Sequence, residues 1–501
     1  MTDAAPSDYV AQDGAAGEGV GRLPGDESAG LPDRLIVAAA VVLASATVAL
    51  PSAMEGDIPL IAYGALLIGC ALAVVGRSPR VLAVASVLVL CLFAMLLGDR
   101  ANRSLVVDAG GPYTGWARVV DDPRVYRSST WLLVDIDGAR HEIWLRRPSQ
   151  RSRAVVLRAG EHVMLSGERI ALEARRRERV AWQHTVGELR VDWLGDVIEG
   201  GALARSSNRI RSLVSNGAAL IGSPEDSLLR GLVIGDDLDQ PPEMIDRFRR
   251  SGLSHLTAVS GQNVSLVLAA CSPLLRRLRT RARLAATIGL IAWFVMITRF
   301  EPSILRAGTM AVLAAVGAHL GRERSPIRML ALAVIVLVVI DPLIARSVGL
   351  WLSVGATAGV VGLGPRLVGG LGRLGPFATP IAVTLGAQLG VAVPSLLAFG
   401  RLPLVGLIAN LLALPVAGLV MLVGLPARLV AGSAASTSTA VGAALLAPVA
   451  LGVRWVDRVA AIGDRLEPES PIPGVVVTLV LGAIIIGAAR RRGVIDGEGV
   501  L

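Results

Sequence analysis

Apolar residues in this chain gather into long uninterrupted runs, in two sets separated by a long polar stretch. The first set is Leu35 to Leu50, Ile58 to Val75 and Val81 to Gly98. The second opens with Leu253 to Ser272 and Leu284 to Thr298, then Ile304 to Leu320, Met329 to Ile340 and Val348 to Gly364. It continues with Pro380 to Leu397, Leu404 to Leu422, Ala440 to Val453 and Val475 to Ala488. A helix rises ~1.5 Å per residue, so runs of this kind cross the ~30 Å hydrocarbon core of a bilayer. The pattern predicts a polytopic α-helical membrane protein with about twelve transmembrane helices. Three lie in residues 34–98 and nine in a bundle at 253–489. Leu404 to Leu422 contains Asn410 and Pro415, so one bent span and two half-helices both fit it.

Residues 99–206 follow another rule. Short segments of β-rich or alternating character recur, namely Trp116 to Val120, Thr130 to Ile136, Glu142 to Leu145, Glu161 to Leu165 and Glu188 to Leu194. Gly, Pro, Asp and Ser separate them, which predicts an inserted small β-barrel or sandwich, with an OB-like barrel favoured. In residues 207–252 the pattern turns helical again. Ile210 to Ile221 and Ser227 to Ile234 are too short to span alone, and Pro241-Pro242 opens a charged amphipathic helix, Glu243 to Arg250. These read as interfacial or re-entrant pieces.

The positive charges orient the runs. The first link carries Glu55 and Asp57, and the second carries Arg77 and Arg80. Arginines cluster at 276–283, 322–328, 366–373, Arg428 and 490–492, on alternate sides from the intervening links. By the positive-inside rule both termini are cytoplasmic, as tails 1–33 and 490–501, and the β-rich insertion is extracytoplasmic. The first tail is acidic and Gly/Ala-rich, reads as disordered, and shows no cleavable signal.

Composition agrees with the runs. The chain of 501 residues is 53% hydrophobic and 18% charged, with a mean hydropathy of +0.61, which excludes an ordinary soluble domain. Its net charge of +9 is carried without a single lysine, so any anion meets guanidinium groups, which grip phosphate in a bidentate fork. Cys70, Cys91 and Cys271 lie in apolar runs and read as packing residues without metal spacing.

Polar chemistry concentrates at Leu228 to Leu266. There the apolar run that follows an acidic and arginine-rich segment contains His255, Ser260, Gln262 and Asn263. Lipid gives such side chains nothing, so they either line a wet lumen or bind neighbouring helices. Arg306 sits just inside another run, where it either snorkels to the interface or pairs at depth with an acid, a carbonyl or an anion in transit. Gln388, Pro394, Asn410 and Pro415 interrupt two adjacent runs, as pore lining or as interhelical bonds and kinks. The cluster Arg175-Arg176-Arg177-Glu178-Arg179 reads as a solvated loop or strand edge, or as a phosphate-attracting patch. His141, His162, His184, His255 and His319 form no metal-binding spacing. AVSGQ around Ser260 lacks the GxSxG elbow, and no Walker A sequence occurs. No cofactor, metal or enzymatic role is expected.

Four blocks in order resemble the ComEC-type competence proteins, inner-membrane channels for DNA uptake in natural transformation. They are GLVIGDD with MIDRFRRSGLSHLTAVSGQNV (within Leu229 to Val264), PSILRAGTMAVL from Pro302, DPLIARSVGLWLSVGATAG from Asp341, and AQLGVAVPSLLAFGRLPLVGLIANLLALP from Ala387 to Pro415. The resemblance implies a conduit for single-stranded DNA through the cell membrane. His255, Ser260, Gln262, Asn263, Arg306, Gln388 and Asn410 are then candidates for its lining. Gly235, Asp236, Arg247 and Arg250 belong to the outer-face signature, and Arg175, Arg176, Arg177 and Arg179 are candidate DNA contacts on the extracytoplasmic domain. A DNA receptor, a separate nuclease and a cytoplasmic translocase are the implied partners. Gln262 and Asn263 stand where many members have leucine and histidine. Many members also continue into a metallo-β-lactamase-like domain, and no such motif follows Arg492, so a nuclease role is not carried over. A small-solute transporter and a non-transporting or regulatory relative are the alternatives.

Overall fold

The computed structural model describes residues 36–41, 43–44, 79–105, 110–236, 239–257, 261–322, 325–434 and 439–470, with 472–474, 476–477 and 480. Ser260, the acidic tail, the second apolar run, the triple arginine at 490–492, half of the first run and most of the last lie outside the described residues.

Helix α1 (Pro79–Arg103) contains the third apolar run and ends with Arg100 and Arg103 in its last turn, where the helix dipole favours cations. Six strands follow: β1 (Gly111–Val119), β2 (Arg124–Val125), β3 (Thr130–Ile136), β4 (Ala139–Leu145), β5 (His162–Ala171) and β6 (Thr185–Ile198). They form one sheet in the order β1-β5-β6-β4-β3-β2, and β1 also pairs with β3. Only the β4–β6 pairing is parallel. Alternation explains the sheet, since Leu132, Val134, Ile143, Leu145, Val163, Leu165 and Leu189 turn inward to one core. Asp137-Gly138 turns β3 into β4 with positive φ at both residues, the geometry a two-residue hairpin needs. Two short helices decorate the sheet, α2 (Pro148–Ala154) and α3 (Ala174–Val180). The arginine cluster at 175–179 is therefore helical rather than a loop or a strand edge, because Glu173 starts a turn that Arg176 and Arg177 close through their backbone N–H groups.

The remainder is helical: α4 (Ala202–Ala219), α5 (Glu225–Ile234), α6 (Pro242–Arg250), α7 (Ser254–Thr257), α8 (Gly261–Leu275), α9 (Thr280–Ile297), α10 (Pro302–His319), α11 (Pro326–Ile340), α12 (Val348–Gly370), α13 (Ala378–Phe399), α14 (Gly406–Ala434) and α15 (Thr439–Leu466). Among the described residues four stretches are long and apolar enough to cross a membrane: Thr280–Ile297, Val348–Gly370, Gly372–Phe399 and Gly406–Arg428. Helices α8 and α11 are apolar but shorter. This is the make-up of a membrane protein.

Of the run Leu253 to Ser272 the described part is α7 and α8, and residues 258–260 lie outside the described residues. Two expectations change. The run Leu404 to Leu422 is not two half-helices, because α14 continues through Pro415 and Pro426. Arg428 is no loop marker. It lies inside α14, fully buried, and donates to the carbonyls of Val214 and Leu229 at 2.9 and 3.2 Å.

Packing follows the small residues. Gly355 and Gly359 of α12 face Gly386 and Gly390 of α13, and a Cβ at any of the four would run into a carbonyl oxygen across the seam. Backbones in contact over that length are what small-xxx-small spacing permits. Elsewhere, Leu228, Leu229 and Leu232 of α5 and Met244 and Phe248 of α6 share one core with α14 and α15.

Candidate functional site

The segment from Leu228 to Leu266 holds most of α5, all of α6 and α7 and the start of α8, and left-handed glycines end α5 and α6. Helix α5 stops because Gly235 takes a left-handed conformation, φ 67°, and its N–H returns to Gly231 O at 2.9 Å. Gly252 ends α6 in the same way, with φ 75°, and a Cβ there would also stand 3.0 Å from Gly406 Cα. Gly261, the first residue of α8, leaves room for Arg306, whose Nη2 lies 2.7 Å from where a Cβ would be.

Arg306 is the central cation of this region. It is 5% exposed on α10, and its Nε donates to Ser353 Oγ at 2.9 Å. Its Nη1 lies 3.1 Å from Met310 Sδ. Among the described residues it makes no ion pair. Asn263 and Gln262 divide their labour. The Asn263 amide is buried and donates to Leu232 O at 3.2 Å and Val233 O at 3.4 Å, carbonyls of the last turn of α5 that lack helical partners. Gln262 is exposed, with its amide nitrogen against Gly418 of α14. His255 is exposed on α7.

The other sequence candidates lie apart. Gln388 on α13 donates to Pro403 O at 3.1 Å, while its Oε1, like Asn410 Oδ1 on α14, is buried without a partner among the described residues. Arg247 and Arg250 pair with Asp457 and Asp464 of α15 at 2.7 and 2.5 Å, so they hold α6 to the bundle. On the β-sheet, Arg176 is taken by Glu142 through two bonds of 2.5 and 2.8 Å, whereas Arg175 and Arg179 are exposed. Arg177 donates to Leu172 O at 3.2 Å.

A charged junction that the sequence did not announce joins the sheet to the helices. Asp122, in the loop after β1, is 3% exposed and receives Arg299 at 2.9 Å and Arg211 of α4 at 3.1 Å. Arg211 also reaches Asp236 at 3.6 Å, and Asp236 meets Arg230, which in turn meets Asp239. Three arginines and three aspartates balance. Burial alone would raise the Asp122 pKa, but Arg211 and then Arg299 outweigh it and hold the carboxyl below its ordinary value. Two lighter ties accompany the junction: His184 to Asp341 at 3.0 Å, and Arg127 to Glu243 of α6 at 3.4 Å. No sequence signal pairs Asp122 with partners so distant in the chain. An arginine inside the apolar run around Arg230 was the nearest hint. Among the described residues no group of three or more His, Cys, Asp and Glu side chains is placed to hold a metal ion.

The family model of competence proteins matches residues 232–493, just over half of the chain. The uncharacterized protein YcaI of Escherichia coli (strain K12) is 27% identical over 224 residues, which is 42% of this chain and 29% of that protein. The chain thus spans less than a third of the curated relative it matches. No solved structure matches. The matched region begins in α5 and takes in Asp236, α6, Asn263 and Arg306, and on that match the chain belongs to the competence protein family, of the ComEC type.

Proposed function

We propose that this protein is a channel that carries single-stranded DNA across the cytoplasmic membrane during natural transformation. Membership of the family points to a role in DNA uptake. The observation that carries the finer reading is Arg306, a buried guanidinium with no ion pair among the described residues, set against the start of the signature helix α8. A strand with one phosphate charge per nucleotide needs a polar path and brief, isolated cations along it. Dense positive charge would hold the polymer instead of releasing it. Gln262 and His255, both exposed, and the unpartnered oxygens of Gln388 and Asn410 supply further polar lining.

The wider architecture is of a piece with this role. About twelve spans would enclose the path. The sheet order that returns from β3 to β1, with a parallel β4–β6 pair and a helix between β4 and β5, favours an OB-like barrel of the type that binds single strands. Arg299 after α9 and Asp341 after α11 both meet loops of the β-rich domain, while the arginines at 276–283 lie just before and in the first turn of α9. That arrangement supports an extracytoplasmic sheet, arginine loops in the cytoplasm, and cytoplasmic termini. A receptor delivers DNA, a separate nuclease trims it, and a cytoplasmic translocase draws it in.

Deleting the gene should abolish import of labelled DNA, and undiminished transformation would sink the reading. Arg306→Ala should lower import roughly tenfold or more, the equivalent of ~1.4 kcal/mol, with normal amounts of protein in the membrane and partial recovery by Arg306→Lys. Unchanged import would leave Arg306 as a packing residue.

A further inference from the structure

The face of the sheet beside the Arg127 loop, which reaches α6, carries a row of aromatic and guanidinium groups that neither the family match nor the sequence blocks assign. Register sets the row: Arg124 of β2 lies opposite Trp131 of β3, and Trp131 lies opposite Trp144 of β4. The Arg124 guanidinium stands over the Trp131 ring at 5.6 Å, and that of Arg176 stands over Trp144 at 5.3 Å. Tyr126 follows on the loop after β2, its ring 5.6 Å from Trp144 and tilted by 32°. It is 48% exposed.

Each piece of this row is held. Glu142 takes Arg176 through two bonds and also lies 3.4 Å from Trp131 Nε1. Arg151 donates to Tyr126 O at 3.0 Å, and Tyr126 N–H closes the loop on Ser129 O at 2.8 Å. Beside Tyr126, Arg127 reaches Glu243 of α6, so the row abuts the segment at which the family match begins. Around it Arg175 and Arg179 of α3, with Arg146 and Arg147 after β4, stay exposed.

We propose that Tyr126 and Trp144, braced by Arg176 and Trp131, form a base-stacking platform that holds single-stranded DNA next to α6. Flat rings with an open face accept any base, since every base has a π-face, and exposed arginines around them neutralise the sugar-phosphate chain. A double helix keeps its bases stacked inside and offers such a platform nothing but backbone. The site rests on the channel reading and assigns the place at which a strand waits before the bundle. It also separates two uses of the arginine-rich helix: Arg176 braces a ring, and Arg175 and Arg179 meet phosphate.

The test uses the full chain in detergent micelles, with a fluorescein-labelled oligonucleotide and an abasic strand of equal length and charge. Wild-type protein should bind the base-bearing strand at least about 5-fold more tightly than the abasic one, the lower end expected for one stacked base at ~1–3 kcal/mol. Tyr126→Ala should remove most of that preference, Tyr126→Phe should keep it, and the abasic strand should bind both variants like wild type. Because Tyr126 is half exposed, its loss should leave the unfolding temperature unchanged. An undiminished preference in Tyr126→Ala, or equal affinity for base-bearing, abasic and double-stranded probes, overturns the platform. If those failures coincide with intact DNA import, the channel reading stands and only the site falls; loss of gene-dependent import would remove the channel reading itself.

Discussion

At the scale of single residues, neighbouring side chains in the signature have opposite tasks. Asn263→Ala would strip the carbonyls of Leu232 and Val233 of their donor in a buried place, at a cost of about 1–3 kcal/mol. A lowered unfolding temperature of the purified protein is the expected result, and an unchanged one would show that the amide does not tie α5 to α8. Gln262→Ala, exposed one position earlier, should shift stability by no more than about 0.5 kcal/mol. The polar character of both was plain in the sequence, but their division was not. The two amides are adjacent in a run whose other members are mostly apolar, so its periodicity gives no phase, and which amide faces inward stays hidden until the packing is known.

At the scale of elements, what was legible is what solvent writes into a chain. The apolar runs anticipated the ends of α9 to α13 to within four residues, except the end of α12, six residues further on, and the β-rich segment Thr130 to Ile136 anticipated β3 in full. Helix α14 was harder. Pro415 forfeits one helical bond, and a sequence cannot show whether neighbouring helices make up for it. The glycine seam between α12 and α13 lay in view as GxxxG spacing, yet its partner did not. Gly359→Leu should separate the two helices, since the new side chain meets the Gly386 carbonyl, and overpacking of this kind costs about 1–3 kcal/mol. Gly362→Leu, three residues on, meets nothing within 4 Å and serves as the control. Equal thermal stability of the two variants would mean that the seam is not under compression.

At the scale of the whole molecule, the balanced junction of Asp122, Arg211, Arg299, Asp236, Arg230 and Asp239 decides how the sheet is set on the bundle, and nothing in the sequence foretold it. Its members come from four separate stretches, so pairing rather than pattern makes it. Folding depresses the Asp122 pKa, so its contribution is fully present above the ordinary carboxylate value, ~3.9, and is lost as the pH falls through the lower folded value. Neutral pH therefore leaves the junction intact, and acid below about pH 4 should loosen it. Asp122→Asn removes the charge at every pH, takes Arg299's carboxylate partner and leaves Arg211 with Asp236 alone, a loss of about 3–5 kcal/mol if the site does not relax. Amide hydrogen exchange should then rise in α4 and in the loop after β1, while strands β3 and β4 keep their protection. Because Arg211 serves both carboxylates, Asp122→Asn and Asp236→Asn should be non-additive, coupled by about 0.5–3 kcal/mol. Strict additivity would mean that the two aspartates anchor separate bodies, and would pass the task of seating the sheet to His184–Asp341 and Arg127–Glu243.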